Sequence, residues 1–564
     1  MSLQVSNREA DVLLKQKNIL SSQVLSKYRF AGQVTQTCVQ YLISLINDSY
    51  HFGRHAPYTV AELCILGDSF LQASLDQAFK DVNEKGIAQP VTIDVNDLVE
   101  GYSPEIDDKT DYTFQAGDIV TLNLGCQIDG YTSRVAHTVV IYPPGIPSET
   151  SRELQPAGPL LGTSADAICA SHIATESVVA LLGCALSPEK LPRSVAPIGS
   201  QVSGSLIRQI VDSIAATFHC IIVPGSKVRR IRRFLAGQAE GVVAERDFKG
   251  VVWSEADQEL QLLEKSGKFS SEEGQQLVAY DRSIGSASNN SSAIPTDDFV
   301  VASGEVYTVD IRMASMNGSD GPGLVTLEVL DQYSGKNAVE GELNPKPSVF
   351  IRDLAVNYQV KLRSARHLLT AIDRTHPVYP FKISELSDNF PLNLNTDETS
   401  VQEQLKAISK DMKPSRLGMT ELTNQRLAVA KPIWAARFVP LPIVLNATTS
   451  TGIHGFDAEN PTLPGLELPL PRLGITALKL KSLLKRAKKV PVARELATVV
   501  LNNKDGEVLR VSGGDSACRP SWVHSNYQLQ GELAQGIQDL VKLTQDGRFG
   551  IKVRQCQPMK AVSE

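Results

Sequence analysis

The sequence predicts an α/β (α+β) protein in which helices and hairpins alternate through both halves of the chain, and three stretches carry that prediction. Residues 21–48, SSQVLSKYRFAGQVTQTCVQYLISLIND, place Val24, Tyr28, Ala31, Val34, Cys38, Tyr41 and Leu42 at helical spacing behind serines suited to capping. That pattern is a long helix packed on a sheet. Residues 118–142, DIVTLNLGCQIDGYTSRVAHTVVIY, read as two strands around Asp129 and Gly130, the dipeptide preferred in tight hairpin turns. Residues 164–187 begin at Ser164 and Asp166 and repeat apolar residues through Val179, Leu181 and Leu182, which predicts a second helix.

Composition fits that class. The chain has 564 residues, 42% hydrophobic and 21% charged, as in an ordinary globular protein with room for one elaborated domain or several smaller ones. A net charge of -6 argues against a surface that coats nucleic acid as a whole, but leaves room for local basic patches. The opening MSLQVSNREADVLLKQKN is polar where a signal peptide needs an apolar core, so secretion by that route is not expected. No run of about 18 apolar residues stands out, so no membrane contact is expected. Eight scattered cysteines (38, 64, 126, 169, 184, 220, 518 and 556) form no CxxC pair, which fits buried thiols in a reducing compartment, nucleus or cytoplasm. Three stretches interrupt the alternation: a surface insertion at 254–295, a large insertion at 372–475 in the C-terminal half, and a loose tail at 558–564.

Several segments, in order, resemble the methionine aminopeptidases and their pita-bread relatives: KYRFAGQV (27–34), GIAQPVTIDVNDLVEGYSP (86–104), GDIVTLNLGCQIDGYTSRVAHTVVIYP (117–143), SGEVYTVDIRMASMNG (303–318) and PVARELATVVL (491–501). The resemblance implies a pita-bread methionine-aminopeptidase fold over residues 10–560, with large insertions. VPGSKVRRIRRFLAGQAEGVVAERDFKGVVW and LPGLELPLPRLGITALKLKSLL are similar to one fungal branch of that superfamily, which is associated with ribosomal export.

Such peptidases hold two divalent metals with two Asp, one His and two Glu, because carboxylates neutralise the cations and leave a position for the attacking water. Carried onto this chain, the first Asp falls on Asn123 and the second, eleven residues on, falls on Arg134. The ligand His would lie in KVRRIRRFLAG, and no histidine occurs between His219 and His367. One Glu falls on Asp310 and the other on Leu496, with Glu495 one place off and so on the opposite strand face. The substrate-positioning His falls on Gly101. A positive charge about 4 Å from a dication costs roughly 8 kcal/mol at an effective dielectric of about 20, so an inward Arg134 repels metal. The expectation is a degenerate metallopeptidase with no catalytic residue, no cofactor and no metal.

Other chemistry reads more plainly. Asp129, Asp107 and Asp108 fit turn and loop roles, His137 a satisfied strand histidine, and Cys126 an unactivated thiol. No phosphate-binding GxxxxGK[ST] pattern is present. Two basic blocks are candidates for contact with RNA phosphates. In the first, Lys227, Arg229, Arg230, Arg232 and Arg233 lie within seven residues and no acid follows before Glu240. Surface contact with RNA and lining of the old pocket are both compatible with that spacing. In the second, Leu480, Leu483, Leu484 and Ala487 predict one helical face, with Lys479, Lys481, Lys485, Arg486, Lys488 and Lys489 outward or flanking, either as a solvated face or as an RNA contact.

The branch resemblance implies a non-catalytic ribosome biogenesis factor that binds precursor large (60S) subunits near the polypeptide exit tunnel and shuttles with them from nucleus to cytoplasm. It implies as partners large-subunit rRNA, exit-tunnel ribosomal proteins, Phe-Gly nucleoporins and zinc-finger maturation factors. An active metallo-aminopeptidase is the alternative. A histone-binding peptidase-like module is a distant third, since no long acidic segment is present.

Overall fold

The computed structural model describes residues 7–108, 112–143, 158–197, 199–235, 248–255, 257–258, 297–316, 321–330, 343, 345–394, 398–440, 484 and 487–559. In chain order its helices are α1 (Asn7–Leu14), α2 (Ser22–Ile46), α3 (Val60–Asp76), α4 (Thr163–Cys184), α5 (Gly204–Thr217), α6 (Arg363–Thr375), α7 (Glu398–Asn424) and α8 (Ala534–Gln545). The strands of the first half are β1 (Lys85–Val95), β2 (Leu98–Glu100), β3 (Ile119–Ile128), β4 (Tyr131–Val140), β5 (Cys220–Ile222), β6 (Lys227–Ile231) and β7 (Gly250–Val252). The second half adds β8 (Val306–Ser315), β9 (Gly323–Leu330), β10 (Val349–Arg352), β11 (Phe381–Lys382), β12 (Ala428–Ala430), β13 (Ile433–Pro440), β14 (Lys488–Lys489), β15 (Ala493–Asn502), β16 (Glu507–Arg510) and β17 (Val553–Gln555).

The expected long helix is α2, with the Ser21 side chain accepting from Val24 N at its start and Val24, Tyr28, Ala31, Val34, Cys38 and Leu42 buried. Tyr41 is only partly buried and stacks on Phe70, ring centroids 5.0 Å apart. The expected hairpin is β3–β4, with Ile128 opposite Tyr131. Its two turn residues, Asp129 (φ 56°) and Gly130 (φ 77°), are both left-handed, the geometry that matches strand twist. A Cβ on Gly130 would lie 2.7 Å from the Phe234 ring. Gly130→Ala is therefore expected to destabilise by roughly 1–3 kcal/mol, read from the midpoint of a denaturant titration.

A mixed sheet runs β1-β3-β4-β15-β8-β6-β7, with β5 beside β8, β16 beside β15 and β17 beside β16. Its strands alternate sharply between two faces. Leu122, Leu124, Val135 and Val139 pack under α2 and α3 on one half. Val309, Ile311, Ala497 and Val499 pack under α4, α5 and α8 on the other. Both helix layers thus cover the same face. Among the described residues one helix, α4, is long and apolar enough to cross a bilayer, yet 78% of its most apolar window is buried in this core.

The opposite face is roofed by a smaller sheet, β14-β13-β2 with β9 also on β13, through Val99, Leu327, Trp434, Phe438 and Val492. A third core joins α3 to α6, α7 and the β11-β10-β12 sheet. Inside it the buried Lys382 Nζ pairs with Asp68 Oδ2 at 3.1 Å. The expected 372–475 stretch supplies β11, α7, β12 and the central roof strand β13, while 441–475 lies outside the described residues. Residues 259–295 and 560–564 lie outside them as well.

Candidate functional site

The roofed face of the large sheet gathers the positions singled out in the sequence. Strand register sets Asn123 opposite Ala136, Ala136 opposite Leu496, Leu496 opposite Asp310 and Asp310 opposite Lys227, one row across five strands. Arg134 lies two residues from Ala136 and so points to the same side. Arg494 and Arg312 stand opposite each other beside that row.

Asp310 is wholly buried and accepts from Arg494 Nε and Nη2, both at 2.8 Å, and from Arg312 Nη2 at 3.0 Å. Arg312 Nη2 also donates to Glu100 Oε2 at 2.7 Å. Arg494 and Arg134 approach the same Glu100 carboxylate at 3.8 and 3.9 Å. Burial alone would raise Asp310, but Arg312 and Arg494 outweigh it and hold its carboxyl well below the usual range. Glu100 is likewise held down against its burial by Arg494, Arg312, Lys431 and Arg134. Nearby Asp94 has weaker support. Burial pushes it up to about 7, although Tyr102 N donates to it at 2.9 Å.

The remaining positions offer little to a cation. Asn123 Nδ2 donates to Thr92 Oγ1 at 3.2 Å, and Leu496 is apolar and buried. Gly101 takes φ 104°, and a Cβ there would lie 2.8 Å from Pro432 O, so the seam between β2 and β13 closes against bare backbone. Among the described residues no group of three His, Cys, Asp or Glu side chains is placed to hold a metal ion. The donor set does not fit a metal pair: its carboxylate is taken by two guanidiniums and faced by Lys227.

Glu495 sits on the helix-covered face, where its Oε1 lies 2.9 Å from His137 Nδ1, while His137 Nε2 meets Arg519 O at 3.0 Å. Burial lowers His137, but the Glu495 carboxylate beside it wins and leaves the imidazole above its ordinary value. A histidine raised on folding adds stability that is full below its unfolded value of about 6.5 and is lost as pH rises through the folded value. Unfolding free energy is expected to fall across that window, and His137→Gln to flatten this part of the profile. Cys126 is inert, because burial pushes its thiol up to about 12.

The first basic block is corrected by the structure. Lys227, Arg229, Arg230 and Arg232 are only 5–7% exposed, because β6 lies inside the sheet between β8 and β7, so they present no surface to RNA phosphates. Arg230 Nη1 meets Glu305 Oε1 at 3.1 Å. Lys227 faces Asp310 across the strands. Arg233 binds the hairpin turn, its Nε donating to Asp129 O at 2.8 Å, and Lys27 Nζ reaches Asp129 Oδ2 at 2.5 Å. Asp107 pairs with Arg416, and Asp108 with Lys346 at 3.7 Å. In the second block, Lys488 and Lys489 are exposed and belong to β14, opposite Phe438 and Arg437. Lys479, Lys481, Lys485 and Arg486 lie outside the described residues. The sequence reading missed Glu100, Arg312 and Arg494. The signal available was spacing: Asp310 and Arg312 are two apart on one strand, as are Arg494 and Leu496 on its neighbour.

Fold and site together define a methionine-aminopeptidase-like protein of pita-bread fold, its ligand row rebuilt around arginines. No family model matches the chain. It is 51% identical over 561 residues to the probable metalloprotease ARX1 of Candida albicans, covering 99% of this chain and 98% of that protein. It is 48% identical over 594 residues to the protein of the same name in Saccharomyces cerevisiae, covering 100% and 98%. A solved structure of a thermophilic Arx1 superposes with a TM-score of 0.51 at 14% identity, covering 93% of this chain and 98% of that one. The chain belongs to the ARX1 family.

Proposed function

We propose that this protein is a non-catalytic ribosome biogenesis factor that binds precursor 60S particles near the polypeptide exit tunnel and travels with them from nucleus to cytoplasm. The absence of catalysis rests on one observation: the row where a peptidase would hold two metals carries Asn123, Leu496 and an Asp310 already chelated by Arg312 and Arg494. With no acceptor set for a dication, nothing there lowers the pKa of a water to attack a peptide bond. The ribosomal reading draws on the sequence resemblance of residues 223–253 and 463–484 to the export-associated branch. Its partners are the particle, large-subunit rRNA, exit-tunnel proteins, Phe-Gly nucleoporins and zinc-finger maturation factors. Lys488 and Lys489 are the exposed members of the basic blocks among the described residues, and such lysines suit contact with RNA backbone.

Co-sedimentation of purified protein with large-subunit particles at moderate salt tests the reading. Binding that weakens steeply as salt rises is expected, and no affinity would sink it. The relatives' shared description as probable metalloproteases favours a second reading, peptide hydrolysis. Metal analysis of protein purified without chelator, with an aminopeptidase assay in added cobalt or manganese, decides between them. Stoichiometric metal and chelator-sensitive turnover would establish the peptidase.

A further inference from the structure

We infer that the rebuilt ligand row is a binding site for a phosphate dianion. The inference does not depend on the ribosomal reading. Four cations, Arg134, Arg312, Arg494 and Lys431, act on the two carboxylates Asp310 and Glu100, so the cluster carries surplus positive charge in a buried setting. Asp94 does little to offset it, since it is only partly ionised near neutral pH. Like charges packed in a low-dielectric interior repel strongly, and a bound anion relieves that repulsion.

The hydrogen-bonding deficit has the same sign. Arg134 Nε, Arg312 Nη1 and Arg494 Nη1 are buried donors with no hydrogen-bond partner, on residues 7%, 0% and 1% exposed. Among the described residues of the row, the unmet acceptor beside them is Asn123 Oδ1, also fully buried. Hydrogen phosphate complements that set, because its bare oxygens accept from guanidiniums and its single hydroxyl donates to an amide oxygen. A carboxylate brings less charge and no donor. Glu100, whose side chain is 14% exposed, marks the side on which the cluster opens toward solvent.

The test is calorimetric titration of the full chain, exchanged into phosphate-free buffer at low salt, with inorganic phosphate, methyl phosphate and acetate. Saturable phosphate binding at one site is expected, with acetate weaker by about tenfold or more, the size of one charge-assisted hydrogen bond. Tighter binding of inorganic phosphate than of methyl phosphate identifies the free ion as ligand, and the reverse identifies a phosphate monoester. Either result supports the dianion site, but the second overturns the hydroxyl contact to Asn123 Oδ1, because methyl phosphate dianion has no hydroxyl to donate. Arg134→Gln, whose side chain makes only a distant ion pair to Glu100, and Asn123→Asp, which adds a carboxylate to the row, should each weaken phosphate by about tenfold. Melting curves confirm that both variants fold. The inference is overturned if no saturable heat is seen, if acetate binds as well as phosphate, or if both folded variants bind like the parent chain, which would mean an adventitious ion only.

Discussion

Asp310→Asn is expected to lower the unfolding free energy by about 3–5 kcal/mol, because it removes the anion from a buried cluster and leaves its guanidiniums without compensation. Arg494 loses its paired acceptors at 2.8 Å, and Arg312 is left with Glu100 alone. The amide can accept one of those hydrogen bonds but carries no charge. The same exchange in a working metal site would abolish turnover with modest effect on folding. Chemical unfolding of the two proteins, followed by circular dichroism, therefore separates a structural carboxylate from a ligand in waiting: a loss under about 1 kcal/mol would contradict the network described above.

Lys382→Met is expected to cost a similar amount, about 3–5 kcal/mol, for the mirror-image reason. Lys382 is the cation among three buried carboxyls, Asp68, Glu105 and Glu385, at the junction of α3 with β11. Burial raises all three carboxyls, and Lys382 is the charge that opposes it. A carboxyl raised above its unfolded value gives stability that is full in acid and is lost as pH rises through the folded value. Without Lys382 those folded values rise further, so the deficit of the variant should be larger in mild alkali than in mild acid. Adding Asp68→Asn to Lys382→Met should recover part of the loss. A deficit that does not vary with pH would show that the methionine acts by packing alone.

Local signals made much of the fold legible. The Asp129-Gly130 turn declares itself because its two left-handed residues have few substitutes, and α2 does so because one apolar stripe over 25 residues has only one way to be buried. The motif positions were legible as a set, and register places Asn123, Leu496 and Asp310 in one row across the sheet. The fate of KVRRIRR was not. Its charge cannot be met by near neighbours in the chain, which left an RNA-facing surface and the lining of the old pocket equally open. The structure meets it with acids remote in sequence, Glu305 for Arg230 and Asp129 for Arg233. The pairing of Lys488 and Lys489 with β13 was hidden for a related reason: helical spacing is a local property, whereas that pairing is decided by where the distant strand lies. Glu100 was hidden beside Gly101, whose place in the motif drew attention to the wrong residue of the pair.

The arginine–carboxylate network has a kinetic meaning as well. Its members come from residue 100 on β2, 134 on β4, 310 and 312 on β8 and 494 on β15, so no two neighbouring hairpins can assemble it. Contacts so distant in the chain are late to form, since each requires the intervening loop to be closed first. The network then works as a latch on the finished fold, engaged after both halves of the sheet and the roof have met. Cutting it should quicken unfolding far more than it slows folding. The row that the resemblance aligns with metal ligands would in that case set how long the folded shell lasts.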